Sequence, residues 1–271
     1  MKSKIEIIYQ DDDIIVVNKP SGISVTKDRS GAIDLIPALH KQIAGLPDLR
    51  LIHRLDKDTS GVMVIAKNIE TQSIYSSCFE KRLVNKTYLA LVSGMVIKEN
   101  ATIKTALSHG RKNENLMRVN PRKGKPAVTE YSLIADFGML SLLAVRPLTG
   151  RTHQIRIHLS SVQLPLAIDP LYGSSKPIML SDFKAGYRVS RGKEERPLIE
   201  RLTLHAYQLQ LPEIEGRESM SFLAGLDKKY KAAIKMLTKH NANGAEAFLN
   251  AENFNRIINA EALCVGTDQV Y

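Results

Sequence analysis

The sequence has few cysteines and no long apolar run, and both shortages narrow the classes of protein it can be. Its two cysteines, Cys78 and Cys264, are far apart and neither belongs to a CxxC pair. A disulfide framework and a zinc knuckle are therefore not expected. No window approaches the roughly 20 apolar residues of a membrane span, and the charged start lacks the apolar core of a signal peptide. We expect a soluble, cytoplasmic protein with no membrane partner.

The sequence also has fewer acidic than basic residues. The chain has 28 Asp and Glu against 38 Lys and Arg, which gives a net charge of +10 over 271 residues. This excess favours an anionic partner, nucleic acid first, through long-range attraction and counterion release, although a merely basic protein has the same balance. The 44% of hydrophobic residues is typical of a globular chain with one large domain or two closely associated subdomains.

Short apolar and β-branched runs separated by turn residues predict more strands than helices. The predicted strands cover residues 14–17, 23–25, 62–66, 87–92, 128–134 and 139–146. The predicted helices cover residues 69–82 after an Asn68 cap, with Ile74, Cys78 and the stem of Arg82 on one side, residues 151–161, and a stretch beyond 228. The pattern favours an α+β fold with a mixed, largely antiparallel central sheet flanked by helices and loops, and disfavours a doubly wound fold.

Two polar stretches, residues 109–125 and 174–198, are predicted to be surface loops. The first contains one acid, Glu114, and six basic residues, namely Arg111, Lys112, Arg118, Arg122, Lys123 and Lys125. Such a loop could clamp RNA, but a solvated loop has the same composition.

A candidate catalytic carboxylate, Asp56, lies in the segment HRLDKDTSG at residues 53–61. The polar turn at 59–61 leads into an apolar strand, which predicts that Asp56 lies on a loop supported by rigid sheet. Its basic neighbours Arg54 and Lys57 favour the ionised carboxylate that a nucleophile or base requires. The alternative is a structural aspartate in surface ion pairs.

Asp56 and Asp58 also form the DxD core of the DxDxT motif of haloacid-dehalogenase-type phosphotransferases, which bind Mg²⁺. In that family the motif ends an apolar parallel strand and is followed by alternating βα units. Here His53 and Arg54 interrupt the preceding run, Ser60 replaces the threonine, and no βα alternation follows. This interpretation is weaker but remains open.

The same segment closely resembles HRLDxxTSG, the signature of the RluA family of pseudouridine synthases, at every fixed position. Other segments resemble landmarks of this family in the same order, namely NKPSG at 18–22, KTYLA at 86–90, GRTHQIRIH at 150–158, DPLYG at 169–173 and LHA at 204–206. The resemblance covers about residues 8–230. It is far more specific than the DxD match.

The resemblance implies an enzyme that isomerises uridine to pseudouridine in large-subunit ribosomal RNA or transfer RNA, acting as a monomer without a cofactor or metal. Asp56 would be the essential residue, and Arg151 would pair with its carboxylate. Tyr88 would stack on the uracil and could take the carbon-5 proton, provided that a neighbour lowers its pKa from about 10.

Other residues are candidates for contacts with RNA, namely Arg54, Thr59, Gln154 and Arg156. A position at the start of the predicted helix is unfavourable for the cationic Arg151 and therefore suits an anion contact better than a structural role. His153 and His158 are five residues apart, about 140° on a helix, so they are not expected to share a metal ion.

The predicted domain organisation is a catalytic domain over residues 1–238, without the separate N-terminal RNA-binding domain of many relatives, and an extension over 239–271 of unknown role. A non-catalytic RNA-binding relative is the third hypothesis, disfavoured because Asp56, Tyr88 and Arg151 are all present. A synthase requires Asp56 and no metal, a phosphatase requires Mg²⁺, and a binding protein shows no turnover.

Overall fold

The computed structural model describes residues 4–25, 34–110, 116–190, 192–214, 216–241 and 244–265. The chain forms two compact units. The first unit comprises Met1–Tyr88 and His205–Gly225, and the second comprises Leu89–Leu204 and Leu226–Tyr271. Part of the predicted basic loop, including Arg111 and Lys112, lies outside the described residues.

The described strands and helices follow one another along the chain as β1 (Glu6–Gln10), β2 (Ile14–Lys19), α1 (Leu35–Gln42), β3 (Arg50–Leu51), β4 (Ser60–Ala66), α2 (Ile69–Glu80), β5 (Asn85–Ser93), β6 (Asn100–Lys104), β7 (Leu107–His109), β8 (Met117–Val119), β9 (Val128–Asp136), β10 (Leu140–Pro147), α3 (Gln154–Ser161), β11 (Leu204–Leu211), β12 (Met220–Leu223), α4 (Lys228–His240) and α5 (Glu252–Asn259). Short 3₁₀ helices cover Leu180–Asp182 and Gly244–Ala247. None of the helices in this part of the chain has the length and apolar character of a membrane span.

The sheet of the first unit is built around β2 and β4. These two strands pair antiparallel, with Val16 opposite Val64, and nearly all their residues are buried. Their apolar runs lack polar alternation because both faces of the strands are covered. β1 pairs antiparallel with β2, and β3 with β4, whereas β11 runs parallel to β4 and antiparallel to β12.

Gly61 permits the close approach of β4 to β11. It lies opposite Ala206 and has a φ of +119°. A Cβ atom at this position would lie 2.1 Å from the carbonyl oxygen of Ala206. Glycine is thus required at the end of the HRLDKDTSG segment both for the backbone angle and for space.

Helix α2 begins as predicted, because the Asn68 side chain accepts a hydrogen bond from the Thr71 backbone N–H at 2.8 Å. Its buried face differs from the prediction. Thr71, Tyr75 and Cys78 are buried, whereas Arg82 follows the helix in a left-handed conformation (φ 62°) and is exposed. The prediction extended the helical spacing two residues past the actual end of the helix.

In the second unit, β10 pairs antiparallel with β9, and β9 pairs antiparallel with β6. The predicted turn between β9 and β10 is confirmed, since the Phe137 N–H donates to Leu140 O at 2.9 Å and Gly138 has a φ of +82°. β7 and β8 form a separate antiparallel hairpin, so the predicted loop over 109–125 contains a strand. The boundary between the two units falls within β5, because the first ends at Tyr88 and the second begins at Leu89.

The C-terminal segment, for which the sequence predicted no structure, packs against β9. Phe248 forms a bridge with Ala135, and the Leu249 N–H donates to Ile134 O at 3.1 Å. The ring of Phe248 meets that of Phe137 edge to face at 5.8 Å. The predicted domain boundary at residue 238 falls inside α4.

The predicted fold class, a mixed and largely antiparallel sheet with helices, is confirmed. Two local predictions are wrong in extent. Residues 23–25 form only an isolated bridge, from Ser24 to Asp34, and the helix predicted from Arg151 begins at Gln154.

Replacing Gly61 by alanine should destabilise the protein by about 3 kcal/mol or more, because the new methyl group meets backbone that cannot move away. Gly45→Ala is the matched control, since Gly45 also has a positive φ (+74°) but open space around its Cβ position; its cost should be about 1 kcal/mol. Urea unfolding of the two variants measures the difference. Equal losses would contradict the role of close packing.

Candidate active site

Asp56 lies on the loop between β3 and β4, as predicted, and is half-buried. The flanking Leu55 and Thr59 are 6% and 2% exposed, so the loop is anchored in the core on both sides. The Thr59 N–H donates to Asp56 O at 3.1 Å and turns the chain back into β4. The carboxylate therefore projects from a short, well-supported turn.

The side chain of Lys19 supports this loop from within the core. Its side chain is completely buried. Its ammonium group donates hydrogen bonds to the carbonyl oxygens of Pro20, Ile23 and Lys57 at 3.1, 2.9 and 2.9 Å. A buried ammonium is tolerated only when it is well hydrogen-bonded, so these carbonyls must converge on it. The residue after Asp56 is thereby fixed.

The NKPSG turn adds two further bonds to the same loop. The Gly22 N–H donates to Lys57 O at 2.9 Å, and the Ser21 hydroxyl donates to Asp58 O at 2.7 Å. The two sequence motifs that precede and contain Asp56 are therefore in direct contact, although 38 residues separate Lys19 from Lys57.

The buried His205 supports the far end of the loop. Its Nδ1 lies 2.9 Å from the Ser60 hydroxyl, and its Nε2 lies 2.9 Å from the carbonyl oxygen of Ala224. Because a carbonyl only accepts, Nε2 carries a proton. A neutral imidazole then accepts from Ser60 through Nδ1. His205 thus joins β4, β11 and the segment after β12.

His53, two residues after the end of β3, is also structural. Its Nε2 accepts a hydrogen bond from the Val64 N–H at 3.0 Å, and its ring stacks on Phe79 at 4.4 Å. Burial, together with the charge of Lys86, lowers the pKa of His53 to about 3. The imidazole is therefore neutral at physiological pH, as its acceptor role requires.

Tyr88 belongs to the same unit as Asp56, and its ring packs against the core of that unit. Burial raises the pKa of its phenol, and the charge of Asp56 raises that pKa further. The condition attached to the predicted proton-acceptor role, a neighbour that lowers the pKa, is therefore not met. In the free protein Tyr88 is a neutral phenol that can pack and donate a hydrogen bond.

Arg54 and Thr59, the other two candidate residues of the first unit, differ in solvent exposure. Arg54 is exposed and can reach a large ligand. Thr59 is buried and has its backbone N–H committed to Asp56, which favours a role in shaping the loop.

Arg151 lies in the second unit, three residues before α3. Arg151 is outside the helix, so the predicted unfavourable effect of the helix dipole on it is wrong. Its backbone N–H donates to Gln154 Oε1 at 3.0 Å, and its guanidinium Nε donates to Pro126 O at 3.3 Å. The side chain is half-buried. Its predicted pairing with Asp56 stays a prediction.

Gln154 and Arg156, predicted as RNA contacts, are both buried and committed internally. Gln154 Oε1 accepts from Thr149 at 2.7 Å and from the Arg151 backbone. Its amide donates to Val128 O and Thr129 at 2.9 and 3.0 Å. Gln154 has no exposed group for RNA in this arrangement and instead positions Arg151.

Arg156 forms a buried, bidentate ion pair with Asp169. Its Nε and Nη2 donate to the two carboxylate oxygens at 2.8 and 2.7 Å, and the side chains are 5% and 1% exposed. The GRTHQIRIH and DPLYG segments therefore meet through this pair. Both segments can be identified in the sequence, but no local feature of the sequence indicates that they form an ion pair.

His153 and His158 have separate hydrogen-bond partners. His158 bonds Thr129 through Nδ1 at 2.8 Å and Thr105 O through Nε2 at 3.2 Å. His153 Nδ1 instead lies 2.8 Å from the Tyr172 hydroxyl. Within the described ranges, no group of three or more His, Cys, Asp or Glu side chains could hold a metal ion.

Comparison with known proteins gives a consistent match. A sequence profile described as RNA pseudouridylate synthase matches residues 13–161. The chain is 33% identical over 226 residues to ribosomal large subunit pseudouridine synthase D of Buchnera aphidicola subsp. Acyrthosiphon pisum, covering 82% of this chain and 70% of that protein. It is 34% identical over 238 residues to synthase C of Haemophilus influenzae, covering 86% and 68%.

Coverage is lower for some relatives. Synthase D of Borreliella burgdorferi is 37% identical over 180 residues, and the match covers only 55% of its length. Among solved structures, the human RNA pseudouridylate synthase domain containing 4 aligns with a TM-score of 0.67 at 25% identity, over 86% of this chain and 92% of that one.

The neutral state of His53 predicts a dependence of stability on pH. Its pKa is about 3 in the folded protein and near 6.5 when unfolded, so the unfolded state binds the proton more readily as the pH falls below 6.5. The free energy of unfolding should therefore drop, by up to about 2 kcal/mol at pH 5 relative to pH 7.

Urea unfolding at pH 7 and pH 5 tests this for the wild type, His53→Gln and the exposed control His40→Gln. His53→Gln should lose about 2 kcal/mol less than the wild type on acidification, and His40→Gln should behave like the wild type. An unchanged loss in His53→Gln would show that another group is responsible.

Proposed function

Because the chain belongs to the RNA pseudouridylate synthase family, of the RluA type, we propose that it isomerises a uridine of RNA to pseudouridine, with Asp56 as the catalytic residue. The observation that carries this proposal is the half-buried Asp56, on a loop held by the buried Lys19 on one side and by Ser60 and Gly61 on the other. A carboxylate that must meet a reacting atom needs such rigid support.

The reaction breaks the bond from ribose carbon 1′ to uracil nitrogen 1 and forms one to uracil carbon 5. A proton leaves carbon 5 and nitrogen 1 gains one, so atoms and charge balance without oxidation, and no cofactor or metal is needed. Asp56 acts either as a nucleophile or as the base for a sugar proton. Both roles require an ionised carboxylate with access to the ribose.

In this scheme the neutral Tyr88 holds the uracil ring in place. A packed phenol can stack on the uracil and donate a hydrogen bond, and its raised pKa makes it a poor acceptor for the carbon-5 proton. The Asp56 carboxylate, whose charge acts on Tyr88, is the candidate acceptor for that proton. Arg151 would hold the carboxylate through a charge-assisted pair.

Access to the site requires the uridine to leave its stack while the protein holds the flanking backbone. The net charge of +10 favours RNA. Arg54 is exposed beside the Asp56 loop, and Arg122, Lys123 and Lys125 are exposed near the β7–β8 hairpin. These are the proposed backbone contacts, whereas Thr59, Gln154 and Arg156 are assigned to positioning because they are buried.

We assign the substrate to large-subunit ribosomal RNA, since the similar bacterial proteins are named ribosomal large subunit pseudouridine synthases. Transfer RNA is the alternative. Residues 1–238 would carry the catalysis in the cytoplasm as a monomer, and the extension over 239–271 would support the second unit through Phe248.

The phosphatase interpretation of Asp56 and Asp58 gains no support from the fold. Such enzymes need the first aspartate at the end of a strand in a parallel sheet, whereas β3 pairs antiparallel with β4. The Asp58 side chain is exposed, whereas that of Asp56 is half-buried.

Mapping of pseudouridine in total RNA tests both activity and substrate. Cells lacking the gene should lose pseudouridine at a specific uridine of large-subunit ribosomal RNA, and the wild-type gene should restore it. Asp56→Asn should not restore it, because the amide can neither attack nor take a proton. Asp58→Asn is the matched control and should restore the modification fully.

Restoration by Asp56→Asn would remove Asp56 from the mechanism. A site lost from transfer RNA instead would correct the substrate, and an unchanged map together with retained RNA binding would favour the non-catalytic relative. Failure of both aspartate variants would show that Asp58 is also needed for the modification.

A further inference from the structure

The Tyr172 hydroxyl links two segments of the second unit. It accepts a hydrogen bond from the Met117 N–H in β8 at 2.9 Å, and it lies 2.8 Å from Nδ1 of His153. His153 is two residues from Arg151 and has a left-handed backbone (φ 53°), which is uncommon for a residue other than glycine. One oxygen atom therefore fixes strand β8 relative to the turn over residues 151–153.

The Tyr172 ring is itself held firmly. The Arg156 guanidinium lies 5.1 Å from its centroid, and the His153 ring meets it edge to face at 5.5 Å. The Tyr172 N–H donates to Asp169 Oδ1 at 3.2 Å. Since Arg156 and Asp169 form the buried ion pair, the direction of the hydroxyl is set by groups that cannot easily move.

The strand tethered by Tyr172 belongs to the β7–β8 hairpin, to which a basic segment is attached. Leu107 of β7 and Met117 of β8 are buried in one small apolar cluster, against which Tyr172 packs. Leu107 and Lys125 exchange backbone hydrogen bonds at 3.0 and 2.8 Å. The segment with the exposed Arg122, Lys123 and Lys125 is thus attached to the hairpin and shares its position.

We propose that Tyr172 is a positioning residue that couples the β7–β8 hairpin, with the basic segment 122–125 attached to it, to the Arg151 turn, so that RNA bound by this segment also orders Arg151. This inference rests on the proposed function. Tyr172 lies beyond residues 13–161, the region matched by the family profile. The hairpin contributes binding, the turn contributes to the reaction, and the shared hydroxyl makes the two depend on each other.

Tyr172→Phe tests the coupling, because it removes the hydroxyl and keeps the ring on Arg156. Tyr187→Phe, which removes a hydroxyl from another loop of the same unit, is the matched control. With an unmodified transcript of large-subunit ribosomal RNA, Tyr172→Phe should weaken RNA binding about two- to tenfold, the range of one hydrogen bond. It should also slow the single-turnover rate at saturating RNA by about tenfold. Tyr187→Phe should change neither.

A double-mutant cycle separates coupling from simple loss of structure. Replacing Arg122 and Lys123 by glutamine should slow the saturating rate in the wild type but should slow it less in Tyr172→Phe, where the hairpin no longer orders the turn. Additive losses would overturn the proposal, as would a Tyr172→Phe protein with the rate and affinity of Tyr187→Phe.

Amide hydrogen exchange at Met117 tests the tether without any need for turnover. Exchange should be faster in Tyr172→Phe than in Tyr187→Phe, and equal rates would overturn the tether. A wild type without turnover on any RNA contradicts the proposed function, whereas an active wild type with an unaltered Tyr172→Phe contradicts the coupling alone.

Discussion

The candidate site depends on one buried charge. The Lys19 ammonium has no exposed surface and donates to three backbone carbonyl oxygens, one of which belongs to Lys57. Taking such a charge out of water costs several kcal/mol unless hydrogen bonds replace the lost hydration. The carbonyls can supply those bonds only when the NKPSG turn and the Asp56 loop are folded against each other. The position of Asp56 and the burial of Lys19 are therefore two results of the same packing.

The remaining constraints act on the other side of the loop and in the second unit. Gly61 allows β4 to approach β11 at a distance that no side chain tolerates, and Ser60 is joined to His205 across the same strand pair. In the second unit, Gln154 holds the backbone of Arg151. Each residue proposed to act on substrate is thus supported by buried groups that do not act on it. This division explains why several motif residues are inaccessible.

Local features of the sequence were sufficient to predict much of the fold. The Asn68 cap, the turn at 136–138 and the loop carrying Asp56 all follow from residues close in the chain. The predictions failed where a distant partner decides the outcome. Gln154 and Arg156 were expected to contact RNA, but Thr129 and Asp169, which are 25 and 13 residues away in the sequence, bind their polar groups internally. A role of Tyr88 as proton acceptor requires a lowered pKa, but burial and the nearby Asp56 carboxylate raise the pKa of its phenol. Neither effect can be predicted from the residues of its own strand.

The central claim is that the only reaction at this site is the isomerisation of uridine to pseudouridine. The most direct measurement uses the purified wild-type protein and RNA labelled with tritium at uracil carbon 5, isolated from cells lacking the gene. The account predicts that tritium passes into water in a one-to-one ratio with the pseudouridine formed, and that no inorganic phosphate is released. RNA binding without tritium release, or phosphate release in its place, would contradict it.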